Sequence, residues 1–323
     1  MLDRRHFLFS AAAATLSCSH SPERAEVADA SEAAPPKEDL WGGPVLDIHT
    51  HFRGDADANA VHLDGCGVSN AVLLTRVSGV PELQQALAKY PDRYVWSAAV
   101  DVTEPDAAEQ LRKAVEQDGA IAFGELKKDV MADGPELQRL YALAAELDVP
   151  ILIHFQEYPH YDGETNYATG IKNFAAMLEK YPKTKFIGHA DAFWANVSAD
   201  YQNQEAYPSG PIVPGGVTDK LLSDYPNMYG DMSANSGNNA LSRDPAFTKD
   251  FLERHKDKLL FGSDCSCADG HGGGTSQRRN PAATRLAGKC VARETLTVLK
   301  QSTSPEVFRK LTWDNARRLY KIA

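Results

Sequence analysis

From Trp41 onward the chain repeats one unit: a short apolar run, a charged or titratable residue at its end, then a segment of helical pattern. The runs are 45–48, 71–74, 94–100, 120–123, 149–153, 185–187, 228–230 and 258–261, and they are read as strands. Helical patterns lie between them at 81–89, 107–116, 135–147 and 171–180. The first has Pro81 where a helix tolerates proline and Glu82 in the first turn. In the third, Leu137, Leu140, Tyr141, Ala144 and Leu147 form one apolar face at helical spacing.

Eight strands alternating with helices over one domain's length predict an α/β fold, a (β/α)8 barrel spanning 41–323. An open doubly wound sheet would carry a glycine-rich phosphate turn after its first strand, where this chain reads H-T-H-F-R. The barrel is therefore preferred.

In such a barrel the carboxyl ends of the strands build the active site. Read in order, those ends carry His49 and His51, Arg76, Asp101, Glu125 and Lys127, His154, His189, Asp231 and Asp264. His49 and His51 are two apart, so on a strand both imidazoles face one side. His154 and His189 close their own runs at the same end, and Asp264 follows the strand that would close the barrel beside the first. Any one of these histidines is more easily explained as a hydrogen-bonded strand end. Together, several imidazoles and a carboxylate suit zinc or a similar divalent ion, manganese or iron included, with a position left for water.

The motifs D-I-H-T-H-F, V-P-I-L-I-H-F, K-F-I-G-H and L-L-F-G-S-D, in that order, resemble the amidohydrolase superfamily of metal-dependent TIM barrels, in its amidohydrolase-related branch. The closing W-D-N-A-R-R-L-Y is similar to that branch's C-terminal helix. The resemblance implies that His49, His51, His154 and Asp264 bind metal, and that His189 is a second-site ligand or polarises the substrate. It also implies a bridging carboxylated lysine or glutamate on the fourth strand. Of the two candidates there, Glu125 is favoured over Lys127 because it is already anionic. One ion or two is left open. The candidate substrate contacts are Arg76, Lys127, Asp231 and, in the eighth loop, Arg278.

The expected reaction is hydrolysis of an amide, ester or lactone of a small polar molecule by metal-activated water. Asp264 would carry the proton, and His189 would stabilise the oxyanion. The same branch includes decarboxylases, and the spacing does not separate the two. A non-catalytic periplasmic ligand-binding barrel is the further alternative. The eighth loop, D-C-S-C-A-D-G-H-G-G-G, is expected to be a mobile or tightly turning lid. Cys265 or Cys267 is expected to pair with Cys290 in an oxidising compartment.

That compartment is suggested by the N-terminus. Arg4 and Arg5 precede the apolar stretch 7–16, and the layout resembles a twin-arginine export signal. Residues 1–18 are read as that signal and 19–40, rich in Ala, Glu, Ser and Pro, as a flexible linker. T-L-S-C resembles a lipoprotein cleavage site, making Cys18 a candidate lipid anchor, although Thr15 departs from the usual aliphatic residue. Cleavage at Ala28-Asp29-Ala30 is the alternative. The expected location is the periplasm, free or lipid-anchored. A formal charge of -10 argues against nucleic acid as a partner. No apolar run approaches the ~20 residues of a membrane span. Barrels of this kind often associate, so a homo-oligomer is an open expectation.

Overall fold

A computed structural model describes residues 39–274 and 285–322. Eight parallel strands follow one another around a single sheet in chain order. They are β1 Leu46–His51, β2 Asn70–Arg76, β3 Tyr94–Ala99, β4 Ala122–Leu126, β5 Pro150–His154, β6 Lys185–His189, β7 Met228–Asp231 and β8 Leu259–Leu260. The seam between β8 and β1 is drawn together by Ile48 N–H donating to the Phe261 carbonyl at 3.1 Å and Asp264 N–H to that of His49 at 2.7 Å. This is a nearly closed TIM barrel in one α/β domain. Every predicted strand is present, and β1, β4, β5 and β6 run one to three residues further than expected, through the residues that carry the chemistry.

Strand parity sorts the apolar residues into two layers. Leu46, Val72, Leu74, Ala122, Leu152, Ile187 and Leu260 fill the barrel, and the C-terminal helix Asn315–Tyr320 adds Ala316, Leu319 and Tyr320 to that cluster. Ala71, Leu73, Phe123, Ile151, Ile153 and Phe186 point the other way, into the layer beneath the helices. That outer layer includes fully buried Trp96, Phe174 and Tyr141. Each such side chain contributes roughly 1.5–3 kcal/mol of transfer free energy.

Two helices position the site. The first, α1, is Ala56–Cys66, capped by the Asp55 carboxylate and closed by left-handed Gly67. It buries Asn59, His62, Leu63 and Cys66 on one face. The second, α2, is Ala234–Arg243, formed by the polar stretch that begins S-A-N-S-G-N-N at Ser233. Ser233 sits at its N-cap, and Asn235, Ser236 and Asn238 are buried. Among the described residues no helix is long and apolar enough to cross a membrane.

Candidate metal centre

Parity alone would put His49 outside the barrel, because Leu46 and Ile48 point in. A bulge resolves this. Between Asp47 and Thr50 the register with β2 shifts by one residue, pairing Asp47 with Ala71 and Thr50 with Leu73. The extra residue reverses the facing, so His51 shares the inward side with Leu74 and His49 turns inward too. Asp47, fully buried, holds the bulge: its carboxylate accepts from His49 N–H at 2.9 Å, Thr50 Oγ1 at 2.6 Å and Ser263 N–H at 2.9 Å. β4 has a similar register shift between Phe123 and Leu126, which spans Glu125.

The structure brings His49, His51, Glu125, His154, His189 and Asp264 to one place at the carboxyl ends of the strands. Their ligand atoms form three overlapping groups: His49, His189 and Asp264; His49, His51 and Glu125; and Glu125, His154 and His189. Glu125 Oε2 lies 3.5 Å from His51 Nε2 and 3.9 Å from His49 Nε2, and Oε1 lies 3.5 Å from His189 Nε2. Asp264 carboxylate oxygens stand 3.4 to 3.9 Å from the same three nitrogens. These separations are too long for good hydrogen bonds. They match the edge of about 3.4 Å expected between ligands each about 2.1 Å from one tetrahedral ion.

Asp231 explains the orientation of two of these rings. It is fully buried, and its Oδ2 meets His49 Nδ1 at 2.6 Å and His189 Nδ1 at 3.2 Å. Ser233 Oγ reinforces it, 2.7 Å from Asp231 Oδ2 and 2.9 Å from His189 Nδ1. With each Nδ1 occupied, His49 Nε2 and His189 Nε2 are buried without a hydrogen-bond partner. Two orphaned imidazole nitrogens facing two carboxylates are what a cation site offers. His154 is turned the other way: its Nε2 meets Gln156 Oε1 at 3.0 Å and its Nδ1 contacts Glu125. Gly262 leaves space for this packing, since a Cβ there would lie 2.3 Å from Asp231 Oδ1 and 2.8 Å from the His49 Cβ.

The charges agree with the geometry. Burial works to lower the His49 pKa, but Asp231, Asp264 and Glu125 overcome it and push it up to about 9. His51 is likewise pushed up to about 10 against burial, by the Asp264 and Glu125 carboxylates beside it. Burial would raise the carboxyls of Glu125, Asp231 and Asp264, yet the neighbouring imidazoles hold all three below the usual range. A pocket that draws protons onto His49 and His51 is one that favours positive charge, which a divalent ion would supply. The residues present fit such an ion.

The other residues singled out from the sequence fall in different places. Asp231 is not a substrate contact: it lies beneath His49 and His189, with its carboxylate committed to their Nδ1 atoms. Lys127 places its Nζ 4.8 Å from the Tyr167 ring centre, while the Glu125 carboxylate lies among the imidazoles. The Asp101 carboxylate pairs with Lys128. Arg278, the proposed signal at 1–18 with Cys18, and nearly all of the linker lie outside the described residues. Lys127 and Arg76 do line a mouth cavity of about 330 Å³ with His51 and Glu125. Phe193 and Trp194 are fully buried, and Trp194 Nε1 donates to the Asp231 carbonyl at 2.8 Å.

Asp47, Ser233 and Gln156 escaped the sequence reading. Asp47 and Gln156 each sit two residues from a candidate ligand, Ser233 two from Asp231, and that proximity was the only available signal.

The family model described as amidohydrolase matches residues 82–322, most of the chain. The chain belongs to the amidohydrolase family. That match begins after β1, so the His49 and His51 strand enters the site on geometry rather than on the family match. A comparison with curated protein sequences finds no match. Among solved structures, this amidohydrolase resembles a probable 2-pyrone-4,6-dicarboxylic acid hydrolase from Acinetobacter baumannii with citric acid bound. The identity is 13%, the TM-score 0.54, and the alignment covers 87% of this chain and 100% of that one. It also resembles dihydroorotase from Saccharomyces cerevisiae in complex with 5-fluoroorotic acid, at 13% identity and TM-score 0.53, covering 87% and 85%. An uncharacterised TIM-barrel protein from Bordetella bronchiseptica matches at 12% identity and TM-score 0.55, covering 86% and 99%. At these identities the structures bear on the fold; the family makes the chain an enzyme of the metal-dependent hydrolase type.

Proposed function

We propose that this amidohydrolase cleaves an amide, ester or lactone of a small polar substrate that carries an anionic group. The observation that carries the reading is the convergence of the orphaned His49 and His189 Nε2 atoms on the Glu125 and Asp264 carboxylates. His49, His51, Glu125, His154, His189 and Asp264 would hold one or two divalent ions, with zinc the favoured identity for a site of this nitrogen and oxygen composition. Such an ion polarises a carbonyl and lowers the pKa of water from 15.7 to about 7.

The remaining work falls to the chain's own groups. Asp264 is the more open of the cluster's two carboxylates, 29% exposed at its side chain against 9% for Glu125, which leaves it able to meet a substrate. It is also held below the usual carboxylate range and is therefore ionised at neutral pH, ready to accept a proton and return it to the leaving group. The left-handed backbone at Asp264, φ 44°, turns the chain at this residue. Asp231 and Ser233 hold the His189 Nδ1 proton, which leaves a lone pair on Nε2. That supports ligation by His189 over oxyanion stabilisation. Arg76 and Lys127 would receive the anionic end of the substrate at the mouth.

The test is a screen of the metal-loaded protein against lactones, cyclic amides, esters and aromatic carboxylic acids. Water-consuming turnover that falls steeply in Asp264→Asn, with the fold unchanged and metal in saturating excess, is expected. Release of carbon dioxide without consumption of water would replace hydrolysis by decarboxylation. We further propose that the N-terminal segment directs the enzyme out of the cytoplasm, as its paired arginines suggest. Cell fractionation checks this.

A further inference from the structure

Directly after Asp264 the chain enters a second group of metal-type side chains that the reaction above does not use. Among the described residues, Cys66, Cys265, Cys267 and Cys290 are free thiols, all buried. The expected disulfide to Cys290 is not formed: Cys265 Sγ lies 3.8 Å from Cys290 Sγ, against about 2.05 Å for a bonded pair. Cys265 and Cys267 stand 3.4 Å apart, and Cys267 Sγ is 3.4 Å from His62 Nδ1. The ligand atoms of His62, Cys265, Cys267 and Cys290 all lie within 4.8 Å of one another.

We propose that His62, Cys265, Cys267 and Cys290 form a closed, structural metal site for zinc or another thiophilic divalent ion, separate from the catalytic centre. Three thiolates and an imidazole are a known composition of closed structural zinc sites. A tetrahedral ion about 2.3 Å from sulfur and about 2.05 Å from nitrogen needs sulfur pairs about 3.8 Å apart and sulfur–nitrogen pairs about 3.6 Å apart. The observed 3.4 to 3.8 Å spacings match that frame before any rearrangement. All four side chains are at least nine-tenths buried, so no open position is left for substrate. This is a scaffold, and it takes a softer donor set than the carboxylate-rich centre next to it.

The surroundings are built for the same purpose. Arg53 donates to the carbonyls of both Cys267 and Cys265 at 2.8 Å, pinning the two ligand-bearing residues. Arg293 donates to the carbonyls of Gly65 and Gly270 at 3.0 and 2.9 Å and ties the loop to α1. The two guanidinium groups also offset the net negative charge of three thiolates around one divalent ion. The loop meets α1 backbone to backbone: a Cβ on Gly65 would fall 1.8 Å from the Asp269 carbonyl oxygen, and one on Gly270 2.4 Å from Cys66 N. The glycines of 264–274, expected in a mobile or tightly turning lid, permit this close approach. Binding would release the thiol protons and fasten the segment that begins at Asp264.

The test uses the full-length protein and cobalt alone as probe. Cobalt-loaded wild type should show the near-ultraviolet thiolate-to-cobalt charge-transfer band, which nitrogen and oxygen ligands cannot give. The band should persist in the double variant His49→Ala with His51→Ala and fall to baseline in Cys290→Ser and in His62→Ala. Metal analysis of wild type should show an equivalent that survives mild chelation and is released by a mercurial reagent. No charge-transfer band in cobalt-bound wild type would overturn the proposal. So would alkylation of the unreduced, unfolded protein that leaves two of these cysteines unlabelled as a disulfide. Both readouts stand on wild type, so a variant that fails to fold does not block them.

Discussion

The barrel mouth and the face of α1 each gather metal-type ligands, and they are joined by one peptide bond between Asp264 and Cys265. Their surroundings differ. At the mouth, Asp264 and His51 remain partly exposed, carboxylates are mixed with imidazoles, and Asp231 and Ser233 buttress two of the rings from beneath. Behind it, three thiols and one imidazole are closed off, and backbone carbonyls held by arginines replace the buttressing carboxylate. Openness and hard donors suit chemistry on a substrate, whereas closure and soft donors suit attachment of a loop. On the two proposals above, the eighth strand's loop would serve both ends: its first residue would meet the substrate and its next ones would hold the segment down.

The strongest way to break that division is to remove metal. Exhaustive chelation should abolish turnover, and adding back one divalent ion should restore it; activity unaffected by a verified loss of all metal would remove the catalytic role of the mouth. Asp264→Asn should lower kcat by roughly 10²–10⁴-fold. The thiolate-to-cobalt band should stay, since Asp264 contributes no sulfur. Asp231→Asn should weaken metal binding at the mouth about 10–100-fold, as measured by competition with a chromophoric chelator. An unchanged affinity would show that the ring orientation does not depend on Asp231.

pH gives a gentler test. Without metal, the raised pKa values of His49 and His51 stabilise the fold fully below about 6.5, the ordinary imidazole value. That contribution is lost as pH rises through about 9 to 10. The lowered carboxyls of Glu125, Asp231 and Asp264 act in the opposite sense, stabilising above the ordinary carboxylate range and fading in acid. Calorimetric Tm of metal-free protein should therefore fall from pH 6.5 to pH 10, and saturating metal should flatten that decline. Parallel curves for the two forms would mean that protons and metal do not compete for these rings. The smallest effect is expected from Lys127→Met, which should raise KM for an anionic substrate about tenfold with kcat little changed.

The eight-strand alternation was legible because hydrophobic period and turn chemistry are local properties, and with it came the order in which the chemical residues meet the barrel mouth. His49, His51, Glu125, His154, His189 and Asp264 were found in that way, each as the end of an apolar run. The chain also gave a reason to prefer Glu125 to Lys127, since an anion needs no modification to meet a cation, and the structure places the Glu125 carboxylate among the imidazoles. Tertiary structure alone decided three things. The bulge after Asp47, which turns His49 inward, depends on a hydrogen bond from Ser263 across 216 residues. The burial of Asp231 beneath two imidazoles depends on β7 lying beside β8 and close to β1, and no local pattern distinguishes such a carboxylate from one facing substrate. The cysteines of the eighth loop gain their fourth partner from His62 on α1, some 200 residues earlier in the chain. Periodicity reports which way a side chain faces within its own element; what it meets there is set by packing between elements distant in sequence.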